Sequence, residues 1–400
     1  MPEMVMTPLF AIQLMCSLGG LSQQPWNFQK QEIDTGLGVG YAVLAVDLNG
    51  DGAKDLVVAD KQRILAYYHP DWKRKTLLEG GTAPDNVCIA ARDIDGDGRM
   101  DLAVGAGWKP FDTKEGGTLQ WLRQPEKNGA PWTLHPISSE PTLHRMRFAR
   151  VGKNGEEELV VIPLMGRDSS AKANWSDGSP LRVLAFSVPA KPAQEPWPVR
   201  VLNQELHVAH NFDLISGAGG HDLAIASYEG ISLLARQPGG GWRRELIHAG
   251  NQENPKSNRG ASEVRRGSLA GGEAVFATIE PWHGGELVVY RREAGAWKRR
   301  VLDNRLKWGH AIAFADLDGD GVDELVFGVR DNLSAQPGEK SGVRIFRWDA
   351  KAKDWTRHIL DEGGVAVEDL AAADLDQDGR IDLVAVGRAT GNVRVYWNRR

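Results

Sequence analysis

The sequence predicts an all-β fold, a seven-bladed β-propeller with four antiparallel strands in each blade, and three observations lead there. An aromatic residue is followed five positions later by Ile or Leu seven times, at Phe28/Ile33, Trp72/Leu77, Trp132/Ile137, Trp197/Leu202, Trp242/Ile247, Trp297/Leu302 and Trp355/Leu360. Short apolar runs of the type DLVVAD recur at the same spacing, each followed by a further apolar strand. No window sustains a 3.6-residue period, and 46 glycines in 400 residues disfavour a helical chain, because each interior glycine weakens a helix by about 1 kcal/mol. Four short strands per unit, repeated radially, give blades around an axis.

The units can be read in order. The first holds Tyr41–Val46, Asp55–Ala59 and Ile64–Tyr68 before its Trp72/Leu77 strand, and the second holds Val87–Arg92, Asp101–Gly105 and Leu119–Leu122 before Trp132/Ile137. Glu158–Ile162 with Leu181–Phe186, Asp222–Ala226 with Ile231–Ala235, and Ala274–Ala277 with Glu286–Tyr290 are the middle strands of units three to five. Unit six runs Ala311–Ala315, Glu324–Gly328 and Val343–Arg347. Unit seven runs Leu370–Ala373, Asp382–Val386 and Val393–Trp397, then the chain stops. Its fourth strand is expected from the other end, Trp26–Ile33, which closes the ring and hides two edges that would otherwise template aggregation.

Residues 8–20, PLFAIQLMCSLGG, read as the apolar region of a signal peptide, although no Lys or Arg precedes Lys30. Residues 1–22 are therefore expected to be a cleaved leader of a secreted or periplasmic protein, and 23–400 a single propeller. The 48 basic and 53 acidic residues leave a net charge of −5, with no basic footprint for nucleic acid. Two cysteines exclude a disulfide framework, and no apolar run is long enough for a transmembrane helix.

Four units carry D-x-[DN]-x-D-G-x-x-[DE] between their first two strands: Asp47/Asn49/Asp51/Asp55, Asp93/Asp95/Asp97/Asp101, Asp316/Asp318/Asp320/Glu324 and Asp374/Asp376/Asp378/Asp382. Alternate residues aim hard oxygens at one point, as Ca²⁺ requires, and the glycine at position six permits the sharp turn. The twelfth position is never Glu, so these are not EF-hands but structural calcium loops between strands; acidic turns without metal are the plain alternative. Such loops, paired with strands like DLVVAD, resemble the FG-GAP/VCBS repeat family. That resemblance implies the propeller fold and leaves adhesion, sugar binding and catalysis all open.

Aligning the units on the loop start (Asp47, Asp93, Arg150, Asp213, Asp316, Asp374) places Tyr41, Val87, His144, His207, His310 and Glu368 six residues earlier, where innermost strands begin. Unit five is shorter and puts Ala261–Glu263 there. These side chains are expected to converge on the axis, at the face opposite the acidic loops. Loops after the second strands reach the same face with Trp108, Glu280, Trp282, His283, Arg330, Asp331 and Arg388. His144, His207 and His310 are read as ligands of Zn²⁺ or a similar divalent metal, or as a polar core, since neutral imidazole is a common metal ligand. Trp108 and Trp282 suit stacking on a sugar ring, with Arg330, Asp331 and Glu368 as further substrate contacts. His283 and Glu280 read as acid–base residues, metal ligands or solvated loop. His210, three residues from His207, faces the other side of its strand unless a bulge intervenes.

Segments at this face, PTLHRMRF (141–148), LVVIPLMGRDS (159–169), LHVAHNFD (206–213), GNQENP with NRGASEVR (250–265), ATIEPWHGGELVVY (277–290) and KWGHAIAFADLDGDG (307–321), resemble the propeller of the aldos-2-ulose dehydratase family. The resemblance implies a metal-assisted carbon–oxygen lyase that eliminates water, or a glycosidic leaving group, from a keto-sugar or oligosaccharide. In that reading His283 or His210 takes the α-proton and Glu280 or Tyr41 assists the departing oxygen. The cupin domains of the fungal enzyme have no counterpart here, so its isomerase half is not expected. The rival reading is a non-catalytic propeller that binds polysaccharide or protein through the same funnel.

Overall fold

The computed structural model describes residues 26–127, 129–217, 219–254, 256–331 and 339–400. The expected leader, 1–22, lies outside the described residues. Seven four-stranded antiparallel sheets follow one another around a ring. Strand β1 (Phe28–Asp34) belongs to the last blade. Blade 1 contains β2 (Gly40–Val46), β3 (Asp55–Asp60), β4 (Arg63–Tyr68) and β5 (Lys73–Glu79), and blade 2 contains β6 (Cys88–Arg92), β7 (Asp101–Ala106), β8 (Thr118–Arg123) and β9 (Thr133–Ser139). Blade 3 is β10 (Leu143–Arg150), β11 (Glu157–Pro163), β12 (Leu181–Phe186) and β13 (Val199–Leu206). Blade 4 is β14 (Ala209–Gly217), β15 (Gly220–Ser227), β16 (Gly230–Arg236) and β17 (Trp242–His248). Blade 5 is β18 (Glu263–Leu269), β19 (Glu273–Glu280), β20 (Glu286–Glu293) and β21 (Ala296–Asp303). Blade 6 is β22 (Gly309–Ala315), β23 (Glu324–Val329), β24 (Gly342–Asp349) and β25 (Asp354–Ile359), and blade 7 is β26 (Val367–Ala373), β27 (Asp382–Gly387) and β28 (Val393–Asn398).

The second strands read as unbroken apolar runs because both of their faces are covered by neighbouring blades. Every residue of β3, β7, β23 and β27 is buried. The core is accordingly a set of layers between blades. One layer joins Leu56, Val58, Tyr67 and Trp72 of blade 1 to Val384, Val386, Val395 and Trp397 of blade 7. Each fully buried aliphatic or aromatic side chain contributes about 1.5–3 kcal/mol. The recurring tryptophans serve this interface: Trp72 meets Trp397 with ring centroids 5.8 Å apart.

Closure by the two ends is as expected. Strand β1 pairs antiparallel with β28 from Phe28↔Asn398 to Asp34↔Val393. Side chains latch the seam: Trp397 donates to Gln31 at 2.7 Å, Arg394 Nε donates to Glu32 at 3.1 Å, and Tyr67 of blade 1 donates to Asp34 at 2.7 Å. Among the described residues only two single-turn 3₁₀ segments interrupt the strands, and no helix is long and apolar enough to cross a membrane.

Candidate functional site

Innermost strands run from the funnel face to the acidic-loop face, and most begin with a register shift. The pairing skips Tyr41 in β2, His144 in β10, His210 in β14, Ala311 in β22 and Glu368 in β26. A bulge re-aims a side chain out of the pleat, here toward the axis. His210 is therefore at the axis and His207 is not. His207 is about a third exposed and gives its Nδ1 proton to Glu229 Oε1 at 2.9 Å. The sequence register fails in blade 4 because no acidic loop marks where β14 ends. The strand runs to Gly217, which pairs with Gly220, and the axial position falls three residues further along.

Four imidazoles pack at the axis. The His210 ring lies 4.5 Å from His144, 4.4 Å from His283 and 4.9 Å from His310, centroid to centroid. Ring nitrogens of His210, His283 and His310 lie within 4.8 Å of one another. Two of these rings have a partner at the outer nitrogen. His210 Nδ1 lies 2.8 Å from Glu263 Oε1 in an ion-pair contact that completes no hydrogen bond, both groups being almost wholly buried, and His310 Nδ1 donates to the Glu368 carbonyl. The Nε2 atoms of His210 and His310 are buried without a partner. His144 is tied differently: Nδ1 donates to the His210 carbonyl at 2.8 Å, and Nε2 accepts from Arg145 at 3.2 Å.

Burial holds all four imidazoles below the usual histidine range, and His144, His283 and His310 well below it, so each is neutral at pH 7. Burial alone would raise Glu263. The His210 contact and the charges of Arg265 and Arg145 outweigh it and bring Glu263 down to about 2. An ionised carboxylate that fixes the tautomer of a neutral imidazole leaves the far nitrogen as a lone-pair donor, the usual outer support of a metal-bound histidine. The orphaned Nε2 atoms thus fit a divalent ion.

Around this cluster the funnel is aromatic and basic. Trp108 packs on His144 at 4.9 Å and Trp282 on His283 at 4.3 Å. Arg330 pairs with Asp331 at 3.1 Å, reaches Glu368 at 3.4 Å and lies over Trp308. Arg388 bonds Glu368 at 2.8 Å and lies over the Tyr41 ring. Tyr41 donates to Asp85 at 3.1 Å, and burial pushes its hydroxyl up to about 12. Glu280 is not at the funnel. It is fully buried inside blade 5, where Thr278 and Tyr290 donate to it and Arg299 pairs with it at 2.9 Å. Its side chain turns into the sheet because β20 and β21 present that hydroxyl and guanidinium to it. Sequence reasoning also passed over Arg145 and Glu263, although Arg145 adjoins His144 and Glu263 lies in the segment aligned with the other inner-strand starts.

At the opposite face the acidic loops share one design. The ninth-position carboxylate is buried and accepts the backbone N–H of the second position, at 3.1 Å for Asp55 and Asp101, 2.9 Å for Glu324 and 3.0 Å for Asp382. The first aspartate accepts from the glycine at position six at 2.9–3.0 Å in all four. Carboxylates converge within 4.8 Å in three loops, through Asp93/Asp95/Asp101, Asp316/Asp318/Asp320 and Asp374/Asp376/Asp382. Burial raises Asp101 and Asp382 to about 6 and Glu324 to about 8, and buried oxygens of Asp95, Asp374 and Asp376 lack partners, which fits a bound cation. Arginines also reach these loops, Arg123 to Asp95 at 2.6 Å and Arg347 to Asp318 at 2.7 Å.

Not every expected ligand joins its cluster. Asp378 stands outside the blade 7 trio: one carboxylate oxygen accepts the Arg380 backbone N–H at 2.9 Å and the other pairs with the Arg380 guanidinium. Asp97 is outside the blade 2 trio for the same reason, accepting the Arg99 backbone N–H at 3.0 Å and pairing with the Arg99 guanidinium. Both arginines occupy the seventh loop position. Blade 6 has Val322 there, and its Asp320 does converge with Asp316 and Asp318, while Glu324 stays apart on the Leu317 N–H. In blade 1 Asn49 donates to Asp51 at 2.9 Å, and Asp47, Asp51 and Asp55 form no such trio.

Residues 47–104 match the model of the FG-GAP-like repeat, and residues 116–293 match that of the aldos-2-ulose dehydratase beta-propeller domain. The chain is similar to an aldos-2-ulose dehydratase. The aldos-2-ulose dehydratase of Phanerodontia chrysosporium is 25% identical over 257 residues, covering 58% of this chain and 27% of that protein. This chain thus aligns with only about a quarter of that relative's length. Two solved structures of BBS1N in complex with ARL6DN, soaked with mercury and with lead, share the fold. Their TM-scores are 0.58 and 0.56 at 12% and 13% identity, with 94% of this chain and 97% of each matched chain covered.

Proposed function

We propose that this propeller is a carbon–oxygen lyase that eliminates water, or a glycosidic leaving group, from a keto-sugar, with a divalent metal such as Zn²⁺ held by His210, His283 and His310. The observation that carries the reading is the three neutral imidazoles whose ring nitrogens meet within 4.8 Å, two of them with orphaned Nε2 atoms. Three protein ligands leave a position open, as catalytic sites do. A metal bound there would polarise the substrate ketone as a Lewis acid and acidify its α-hydrogen. Glu263 keeps His210 in the ligating tautomer. His144, the imidazole outside the triad, takes the α-proton on Nε2, which requires Arg145 to give up its hold on that nitrogen. Tyr41 keeps its proton at neutral pH and can hand it to the departing oxygen. General acid–base help of this kind is worth about 10²–10⁴-fold. Trp108 and Trp282 offer faces for the sugar ring, and Arg330 and Arg388 can order its hydroxyls. The acidic loops are proposed to hold structural Ca²⁺.

The rival, a non-catalytic polysaccharide-binding propeller, draws on the exposed Phe111, stacked on Trp175 at 5.7 Å in a neighbouring funnel loop. Metal analysis of purified protein, joined to an ultraviolet assay for enone formation from keto-sugars, separates the two. Stoichiometric zinc and enone formation that is lost on chelation are expected. Sugar binding without metal or enone would favour the rival.

A further inference from the structure

Beneath the histidines, a cavity of about 420 Å³ continues along the axis toward the acidic-loop face. Five charged residues line it: Arg145, Arg147, Arg265, Asp369 and Glu157. Glu157 is committed to Arg92 at 3.1 Å. Asp369 accepts the Val43 backbone N–H at 3.0 Å. No described carboxylate lies within ion-pair distance of Arg145, Arg147 or Arg265, in a protein where most buried acids have an arginine partner. Arg265 bonds two backbone carbonyls, of Val264 at 2.7 Å and Phe212 at 3.3 Å. Arg147 spends Nη2 on Asn211 at 3.1 Å and packs over the Phe212 ring, while its Nη1 is buried without any partner.

We propose that this lower chamber is a binding site for a small oxyanion, a phosphate, sulfate or carboxylate group, gripped by Arg147 and Arg265. A guanidinium presents a planar fork that matches such groups bidentately, and a buried unpaired charge is costly unless something neutralises it. Burial and the neighbouring Arg265 hold Arg147 down to about 9, against the opposing pull of Asp213 and Asp369. The chamber has room for such a group and is separate from the funnel where the keto-sugar reading places its substrate. Nothing in the acidic loops competes for it, since those repel anions. Asp369 sets the orientation by excluding the anion from its own side of the chamber.

The test is calorimetric titration of the full chain with inorganic phosphate, and separately with acetate, at constant sodium chloride. Saturable binding and a raised melting temperature are expected, because a ligand of the native state stabilises it. Arg147→Gln should weaken phosphate binding at least about tenfold, the worth of one charged hydrogen bond. His310→Ala should leave it intact, which separates the chamber from phosphate captured by a metal on the histidines. Acetate binding as tight as phosphate would assign a carboxylate ligand. If Arg147→Gln does not fold, Arg265→Gln carries the same expectation. The proposal is overturned if the wild type binds neither anion at millimolar concentration, or if His310→Ala abolishes binding while the arginine variants keep it.

Discussion

Blades 1, 2, 6 and 7 differ from blades 3, 4 and 5 in a way that separates fold from chemistry. The first group carries the acidic loops and the cleanest strands. The second has lost the loops but supplies His144, His210, Glu263 and His283, to which blade 6 of the first group adds His310. The family matches follow this only in part: the repeat model covers 47–104 in blades 1 and 2, and the dehydratase propeller model covers 116–293, from the outer half of blade 2 into blade 5. Where a repeat only has to be a blade, its sequence converges on the pattern that builds one. Where it departs, something other than blade-building holds the residues in place. The sharpest departures here are the buried imidazoles of His144 and His210 and a buried Glu263, features that add nothing to a sheet and cost desolvation.

The largest expected effect lies in the repeat-like group. Deleting the chain through residue 34 removes β1 with its ladder to β28, and with it Gln31, Glu32 and Asp34 from the seam. The open edge should unfold or aggregate the protein, as read by circular dichroism and light scattering. Deletion through residue 22 should leave the melting temperature unchanged. Equal stability of the two would break the picture of a ring closed by its ends.

Next comes the histidine triad, two members from the departing group and His310 from blade 6. His210→Ala, His283→Ala and His310→Ala should each abolish bound zinc and enone formation while the circular dichroism spectrum stays that of a folded β protein. His207→Ala, which removes a partly exposed pair with Glu229, should stay near wild type. Glu263→Gln is the finer test. It keeps the shape but weakens the hold on His210, and loss of such an outer partner typically costs about 10–100-fold in metal affinity or activity. Unaltered zinc affinity in Glu263→Gln would make the His210–Glu263 contact a piece of polar core.

These outcomes bear on how far a sequence speaks. The blades, their number and the end-to-end closure follow from recurring anchors, because each anchor is an energetic necessity of the repeat. The histidine column is legible at His310, where the acidic loop fixes the count, and at His144, where a loop without the acids still starts six residues on, at Arg150. It slips at His210 because blade 4 has no loop motif and its strand is longer, so His207 takes the wrong place in the alignment. Glu280 misleads for another reason. Its position at the end of a second strand is right, but side-chain direction depends on Tyr290 and Arg299, residues on other strands that no local spacing connects to it. Asp97 and Asp378 mislead within a motif that is otherwise sound. The spacing offers them as ligands, but the arginine two residues on claims each carboxylate.

The smallest effects distinguish two ways of neutralising an acidic loop. Calcium removal should lower the melting temperature, each site being worth about 2.7 kcal/mol at a hundredfold excess over its Kd. Hydrogen exchange should locate the loosening in the acidic loops and spare blades 3 to 5. Arg123 then sharpens the comparison within blade 2, because its guanidinium sits on Asp95, whose oxygens a cation would need, and on Asp97 beside it. The pair is partly exposed, so its own contribution to stability is about 1 kcal/mol or less. If calcium and Arg123 compete, Arg123→Gln should bind calcium more tightly than the wild type and gain a larger calcium-dependent rise in melting temperature. If the arginine is itself the counter-charge of this loop, the variant should lose stability and acquire no calcium response. The arginine is then the loop's substitute for a metal, and the acidic motif in blade 2 is retained for its turn geometry alone.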